Sequence, residues 1–114
     1  MNDCLFCKIA AGDIPSEMVY QDDEVVAFKD IRPQAPVHIL IIPRKHIAKV
    51  AEMEAGDQPL MGKLIYTATR LAREMNISED GFRLVFNNGE NAGQEVFHIH
   101  LHLLGGRSMQ WPPG

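Results

Sequence analysis

Three histidines occupy every second position of one short run, Phe97-His98-Ile99-His100-Leu101-His102-Leu103-Leu104. In an extended chain residues i, i+2 and i+4 share a face, so His98, His100 and His102 line one side while Ile99, Leu101 and Leu103 anchor the other. Neighbouring imidazoles then lie about 6.5 Å apart along the strand. The other two of the five histidines are His38 and His46, so most of the acid–base capacity near neutral pH is packed into one strand. The plainest account is a solvated or core-satisfied trio, and the apolar partners between the rings argue against it. A second is a metal centre made of all three. Imidazole binds zinc at about 2.0–2.1 Å, but His98 to His102 spans roughly 13 Å of strand, so the ligand set needs help from elsewhere. A third is nucleophilic attack on phosphorus. A neutral imidazole needs no separate base near pH 7, and a central His100 has His98 and His102 beside it as donors to phosphoryl oxygens. The preceding loop, Asn87-Asn88-Gly89-Glu90-Asn91-Ala92-Gly93-Gln94, favours this reading, because glycines admit close backbone approach and successive amides form an anion nest.

The elements that must hold this strand follow from pattern. Leu5 to Ala10 reads as a short helix closed by Gly12. Met18 to Gln21 and Glu24 to Phe28 read as strands around the turn residues Asp22-Asp23. Val37 to Ile42 is a β-branched apolar run stopped by Pro43, and its near-continuous apolarity predicts burial on both faces. Leu60, Leu64, Ala68, Leu71 and Met75 fall on one helical face widened by Met61, Ile65 and Ala72. Asp57 is the expected cap of that helix, Pro59 fits its first turn and Asn76 its left-handed end. Phe82 to Asn87 is a further strand, and Gly105-Gly106 releases a tail ending Trp111-Pro112-Pro113-Gly114. The expected fold is α+β: about five mainly antiparallel strands with one long and one short helix.

Composition bounds the function. A chain of 114 residues fits one domain, 1–114, with a real core. A net charge of -4 argues against a nucleic-acid-binding face, which needs a Lys/Arg excess, but allows one small anionic substrate. No run approaches the ~20 apolar residues of a membrane helix, and the start at Met1-Asn2-Asp3-Cys4 carries no basic leader. The expectation is a cytoplasmic protein that binds no nucleic acid and no membrane. A reducing compartment disfavours a disulfide between Cys4 and Cys7, and a redox C-x-x-C lacks the βαβ context it needs.

The run His98-Ile99-His100-Leu101-His102-Leu103-Leu104 resembles the signature of the histidine-triad (HIT) superfamily. Asp30-Ile31-Arg32-Pro33-Gln34-Ala35-Pro36-Val37-His38, Ile42-Pro43-Arg44-Lys45-His46-Ile47, Gly93-Gln94 and the tail from Gly105 to Gly114 resemble its nucleotide-binding branch. The resemblance covers nearly the whole chain. It implies a HIT-like fold and a homodimer with one continuous sheet, the tail 105–114 lying near the partner's site. It also implies hydrolysis of purine nucleoside phosphoramidates or lysyl-adenylate through a nucleotidyl-histidine on His100, supported by His98 and His102. Asp30 and Ile31 match ribose positions, though Asp30 reads equally well as a strand-end turn residue. Asn87, Gly93, Gln94 and Glu95 match positions around the phosphate, and Phe6, Ile9 and Phe28 match the purine wall. Two departures stand out. Position 95 is Glu where animal phosphoramidases often carry Ser, which leaves the leaving-group chemistry open. Cys4 and Cys7 match a pair that other superfamily members use, with residues matching His46 and His98, to hold one structural zinc per chain. The chemistry itself requires neither redox cofactor nor magnesium. The rival readings are a dinucleoside polyphosphate hydrolase, and a purine-nucleotide-binding or zinc-binding regulator with incidental turnover.

Overall fold

The computed structural model describes residues 3–114; Met1 and Asn2, and with them the start read for a leader, lie outside the described residues. The order of elements is α1 (Leu5–Ala10), β1 (Met18–Gln21), β2 (Val25–Lys29), β3 (Val37–Pro43), α2 (Gln58–Glu74), β4 (Phe82–Phe86) and β5 (Leu101–Gly105), with short 3-10 turns at Val50–Glu52, Ala55–Asp57 and Glu90–Ala92. The five strands form one sheet in the order β1-β2-β3-β5-β4, and every neighbouring pair is antiparallel. The last strand thus lies inside the sheet, between β3 and β4. The expected α+β fold is the one found.

Strand alternation explains the two cores. Val25, Ala27, Ile39, Ile41, Leu101 and Leu103 pack with Met61, Leu64, Ala68, Leu71 and Ala72 of α2. Val26, Phe28, Leu40 and Ile42 face the other way, onto Phe6 and Ile9 of α1. β3 is accordingly buried from His38 through Pro43, as its apolar run predicts. In β5 the same alternation puts Leu101 and Leu103 under α2, which leaves His102 for the α1 side. Asp22 accepts the Glu24 and Val25 amides at 2.8 and 2.9 Å and closes the β1–β2 turn. Asn76 ends α2 at φ 60.

Three local expectations are corrected. The histidine run is not one strand: β5 begins at Leu101, and His98 and His100 precede it in an irregular segment. Asp57 sits at the N-cap of α2 without capping it by its side chain. Its carboxylate is taken by the Glu54 amide at 2.9 Å and by Lys45 Nζ at 2.6 Å. Ile65 points outward, 44% exposed, because the buried stripe of α2 is narrower than its apolar spacing.

Candidate active site

One cleft of about 540 Å³ opens on the α1 side of the sheet. Phe6, Ile9 and Phe28 form its apolar wall, Asp30 and Ile31 flank them, and Asn87, Gly93 and Glu95 come from the β4–β5 connection. His100 and His102 line its floor beside His38. Phe6 fixes the wall, edge-on to Phe28 at 5.4 Å and to His100 at 5.0 Å between ring centroids. The rings of His100 and His102 are 4.9 Å apart, nearer than the spacing of an ideal strand, because the chain is irregular up to Leu101.

Hydrogen-bond partners fix the tautomers. His100 Nδ1 lies 2.8 Å from the His98 carbonyl. A carbonyl only accepts, so the ring proton is on Nδ1 and Nε2 keeps a free lone pair. His38 Nδ1 accepts the Gln34 amide at 3.0 Å, so its proton is on Nε2, which donates to His102 Nδ1 at 2.9 Å. His102 must then carry its own proton on Nε2. The floor therefore offers one unprotonated nitrogen, on His100, and one N–H donor, on His102. His38 is the functional residue that sequence reasoning missed. Its signal was a lone histidine inside the apolar β3 run, but only the β3–β5 register, Leu40 opposite His102 and His38 opposite Leu104, brings it to the triad.

Burial pushes His100 below the usual imidazole range, although its bond to the His98 carbonyl and the charges of Asp30 and Glu95 oppose this. Burial, reinforced by the His100 and His38 rings, brings His102 down to about 4. Burial also lowers His38, against the pull of Asp30. His38 and His102 are therefore neutral in the folded protein at neutral pH, but return to ordinary imidazoles near 6.5 on unfolding. Between about pH 6.5 and 4 the unfolded chain holds more protons, so their contribution is complete above the upper value and is lost as pH falls toward the lower one. Urea unfolding at pH 7 and pH 4.5 is expected to show a loss to which His102 alone contributes on the order of 2–3 kcal/mol. His102→Phe is expected to flatten that dependence.

His98 and Gln94 do not line the cleft. The His98 ring, fully buried, donates from Nε2 to the Pro43 carbonyl at 2.7 Å. Its Nδ1 points instead at Cys4 Sγ (3.3 Å), Cys7 Sγ (3.4 Å) and His46 Nδ1 (3.2 Å), while Cys7 Sγ and His46 Nδ1 are 3.4 Å apart. Gln94 is buried and spends its amide on Gly89, Ala48 and Val96. Four of the loop amides expected to form an anion nest are also spent. Those of Ala92, Gly93 and Gln94 bond within the loop, and that of Gly89 bonds to Gln94. Asp30 remains at the cleft, yet its Oδ1 accepts the Arg32 amide at 2.8 Å, so it is a turn residue as well as a lining one. Its Oδ2 lies 3.4 Å from His38 Nε2.

Two clusters have metal-ligand composition, and hydrogen bonding separates them. For tetrahedral zinc, bonds of about 2.0–2.1 Å to nitrogen and 2.3 Å to sulfur put ligand atoms roughly 3.3–3.6 Å apart. The Cys4–Cys7–His46–His98 separations of 3.2–3.4 Å fit that cage. Two of the four are also aimed. Cys4 begins α1 with its sulfur accepting the Cys7 amide at 3.4 Å, and the Pro43 carbonyl leaves His98 Nδ1 without a proton, the outer-shell arrangement usual for a ligating histidine. The Asp30–His38–His102 cluster does not fit. Its His38 already uses the Nδ1 lone pair to accept the Gln34 amide hydrogen bond, so a metal on Nε2 would require an imidazolate.

Known proteins resemble this chain over nearly its whole length. A family model described as the HIT domain matches residues 11–109. An uncharacterized HIT-like protein of Synechocystis is 49% identical over 112 residues, covering 98% of this chain and 97% of that protein. A 14 kDa zinc-binding protein of Brassica juncea is 48% identical over 114 residues, covering 98% and 100%. A crystal structure of a HIT family hydrolase from Legionella pneumophila superposes with a TM-score of 0.97 at 55% identity, covering 98% of this chain and 100% of that one.

Proposed function

The chain belongs to the HIT domain family, and from that membership we propose that it is a purine nucleoside phosphoramidase of the nucleotide-binding branch, working through a covalent nucleotidyl-histidine. The observation that carries the reading is the pair of opposite tautomers on the cleft floor, a lone pair at His100 Nε2 and a proton at His102 Nε2. Purine stacks against Phe6, Ile9 and Phe28, the ribose lies by Asp30 and Ile31, and the α-phosphate sits over His100. His100 Nε2 attacks phosphorus and forms a P–N bond as the bond to the amine breaks. The amine takes a proton from water at the open mouth. Nδ1–H stays on the His98 carbonyl, and His102 Nε2–H bonds a phosphoryl oxygen. Water then attacks phosphorus, His100 leaves, and a nucleoside monophosphate and a proton are released. With the amides of Gly89, Ala92, Gly93 and Gln94 spent, His102 replaces the nest as phosphate donor, together with the Glu95 amide, which makes no hydrogen bond within the described residues.

The Glu95 carboxylate favours the P–N substrate over the polyphosphate. It lines the cleft on the β4–β5 side and pairs with no described residue, so further phosphates leaving past it meet a like charge. Initial rates on an adenosine phosphoramidate panel and on a diadenosine polyphosphate test this. Faster polyphosphate cleavage overturns the P–N assignment, and binding without turnover of either substrate overturns the enzyme.

His38 acts here as a positioning residue. His38→Phe keeps the bulk but lets His102 put its proton on either nitrogen. We expect kcat to fall by about 10–100-fold with little change in KM, as steady-state kinetics will read.

The same reading includes one structural zinc per chain on Cys4, Cys7, His46 and His98, in a reducing compartment that keeps both thiols. Bound there, the ion ties α1 to the segment before β5 and supplies no step of the reaction. The domain is read as 1–114. The homodimer that the family resemblance implies is part of the same reading: β4 is one of the two edge strands, and a partner strand laid on it would continue the sheet and bring the tail 105–114 to the second site. Sedimentation analysis tests the dimer.

A further inference from the structure

His98 belongs to two arrangements at once. Its side chain is held between the Pro43 carbonyl at 2.7 Å and the sulfur and nitrogen atoms of Cys4, Cys7 and His46. Its backbone carbonyl takes the Nδ1–H of His100 at 2.8 Å. That carbonyl shares a planar peptide unit with the Ile99 N–H, and the Ile99 N–H donates to the Ile47 carbonyl at 2.7 Å. Ile47 directly follows His46. The peptide unit that sets the His100 tautomer is therefore flanked on both sides by candidate metal ligands, through the His98 ring at one end and the His46–Ile47 backbone at the other. This unit lies before β5, so no ladder of that strand fixes it. We propose that a metal ion on Cys4, Cys7, His46 and His98 positions the nucleophile: by holding His98 and His46 together it locks the 98–99 peptide plane, and so keeps the His100 proton on Nδ1 and Nε2 free toward the cleft. The metal ligands are thereby positioning residues for His100, which rests on the nucleophile and zinc assignments above.

The consequence concerns turnover and ring chemistry together. With the cluster empty the peptide plane is held from one side fewer, and His100 is free to populate both tautomers, only one of which attacks. Phe28 and Asp30 lie on β2 and the turn after it, away from the cluster, and Phe6 stays packed on Phe28, Leu40 and Ile42 without the ion, so the loss falls on kcat.

The test compares zinc-loaded wild type with Cys7→Ala by metal analysis, by 15N NMR of the histidine side chains and by steady-state kinetics. Wild type is expected to hold about one zinc per chain and to show His100 as a single Nδ1–H tautomer. Cys7→Ala is expected to lose the ion and show mixed His100 tautomers, with kcat down at least about tenfold and KM within about twofold. A folded, zinc-free variant with unchanged kcat and an unchanged His100 tautomer overturns the proposal. If Cys7→Ala does not fold, cadmium exchanged for zinc in wild type decides. The larger ion widens the cage, and we expect kcat to change by at least about threefold at constant KM with displaced His100 resonances; identical kcat and resonances overturn the coupling. Wild type that binds no zinc yet turns over through His100 overturns the coupling and leaves the nucleophile standing. Zinc-loaded protein inert on every phosphoramidate sinks the functional reading, while the tautomer comparison still decides the coupling.

Discussion

His100→Ala is expected to lower kcat for an adenosine phosphoramidate by at least about a thousandfold. No other imidazole among the described residues can take its place: His102 is protonated on the nitrogen that is not bonded to His38, both nitrogens of His38 are engaged, and His98 has turned away. Substrate binding is expected to change little, because Phe28 and Asp30 do not depend on the imidazole and Phe6 keeps its edge contact with Phe28. The substitution strands the His98 carbonyl in a buried site, which costs about 1–3 kcal/mol, so the fold is to be checked by circular dichroism alongside the rate. Rapid quenching of wild type during turnover should trap the nucleotidyl group on His100. Retained turnover, or an adduct on another side chain, would remove the mechanism.

The second large effect is on stability. A chelator strong enough to strip zinc is expected to lower the unfolding free energy by about 4 kcal/mol, the contribution of a ligand present at a thousand times its dissociation constant. For a chain of 114 residues that is a fall in Tm of roughly 15 °C. Cys4→Ala should reproduce most of the fall and abolish the response to chelator, because it removes both a ligand and the sulfur that takes the Cys7 amide at the start of α1. A chelator-insensitive wild type with the same Tm as Cys4→Ala would show that the cluster holds no ion.

Much of this layout is legible in the residues. The β3 run announces its double burial, the α2 stripe its packing face, Asn76 its stop, and the alternating histidines their division of labour with Ile99, Leu101 and Leu103. Resemblance to the HIT superfamily supplies the pairing of Cys4 and Cys7 with His46 and His98, which no spacing rule gives, since the four residues come from three separate segments. What local pattern misses is set by register and by competition for partners. His38 reaches His102 only because β5 inserts beside β3. The Gln94 side chain and the amides of Gly89, Ala92, Gly93 and Gln94 look free for an anion until the fold shows them bonded within the protein. Asp57 has the composition of a helix cap, but the Glu54 amide and Lys45 reach it first. The extended form expected at His98 is lost because its ring and the adjoining peptide answer to Pro43 and Ile47 rather than to a neighbouring strand.

The place of β5 has a kinetic meaning. It follows the other four strands in the described sequence, yet it fills the gap between β3 and β4, pairing Val37 with Gly105 and Ile41 with Leu101. A chain whose β5 has yet to dock therefore presents β3 and β4 with open edges, and that long-range closure is a slow, entropically costly event. Because the docking segment carries His100 and His102, catalytic competence and completion of the sheet should emerge in one and the same refolding phase, with no active partially folded form before it.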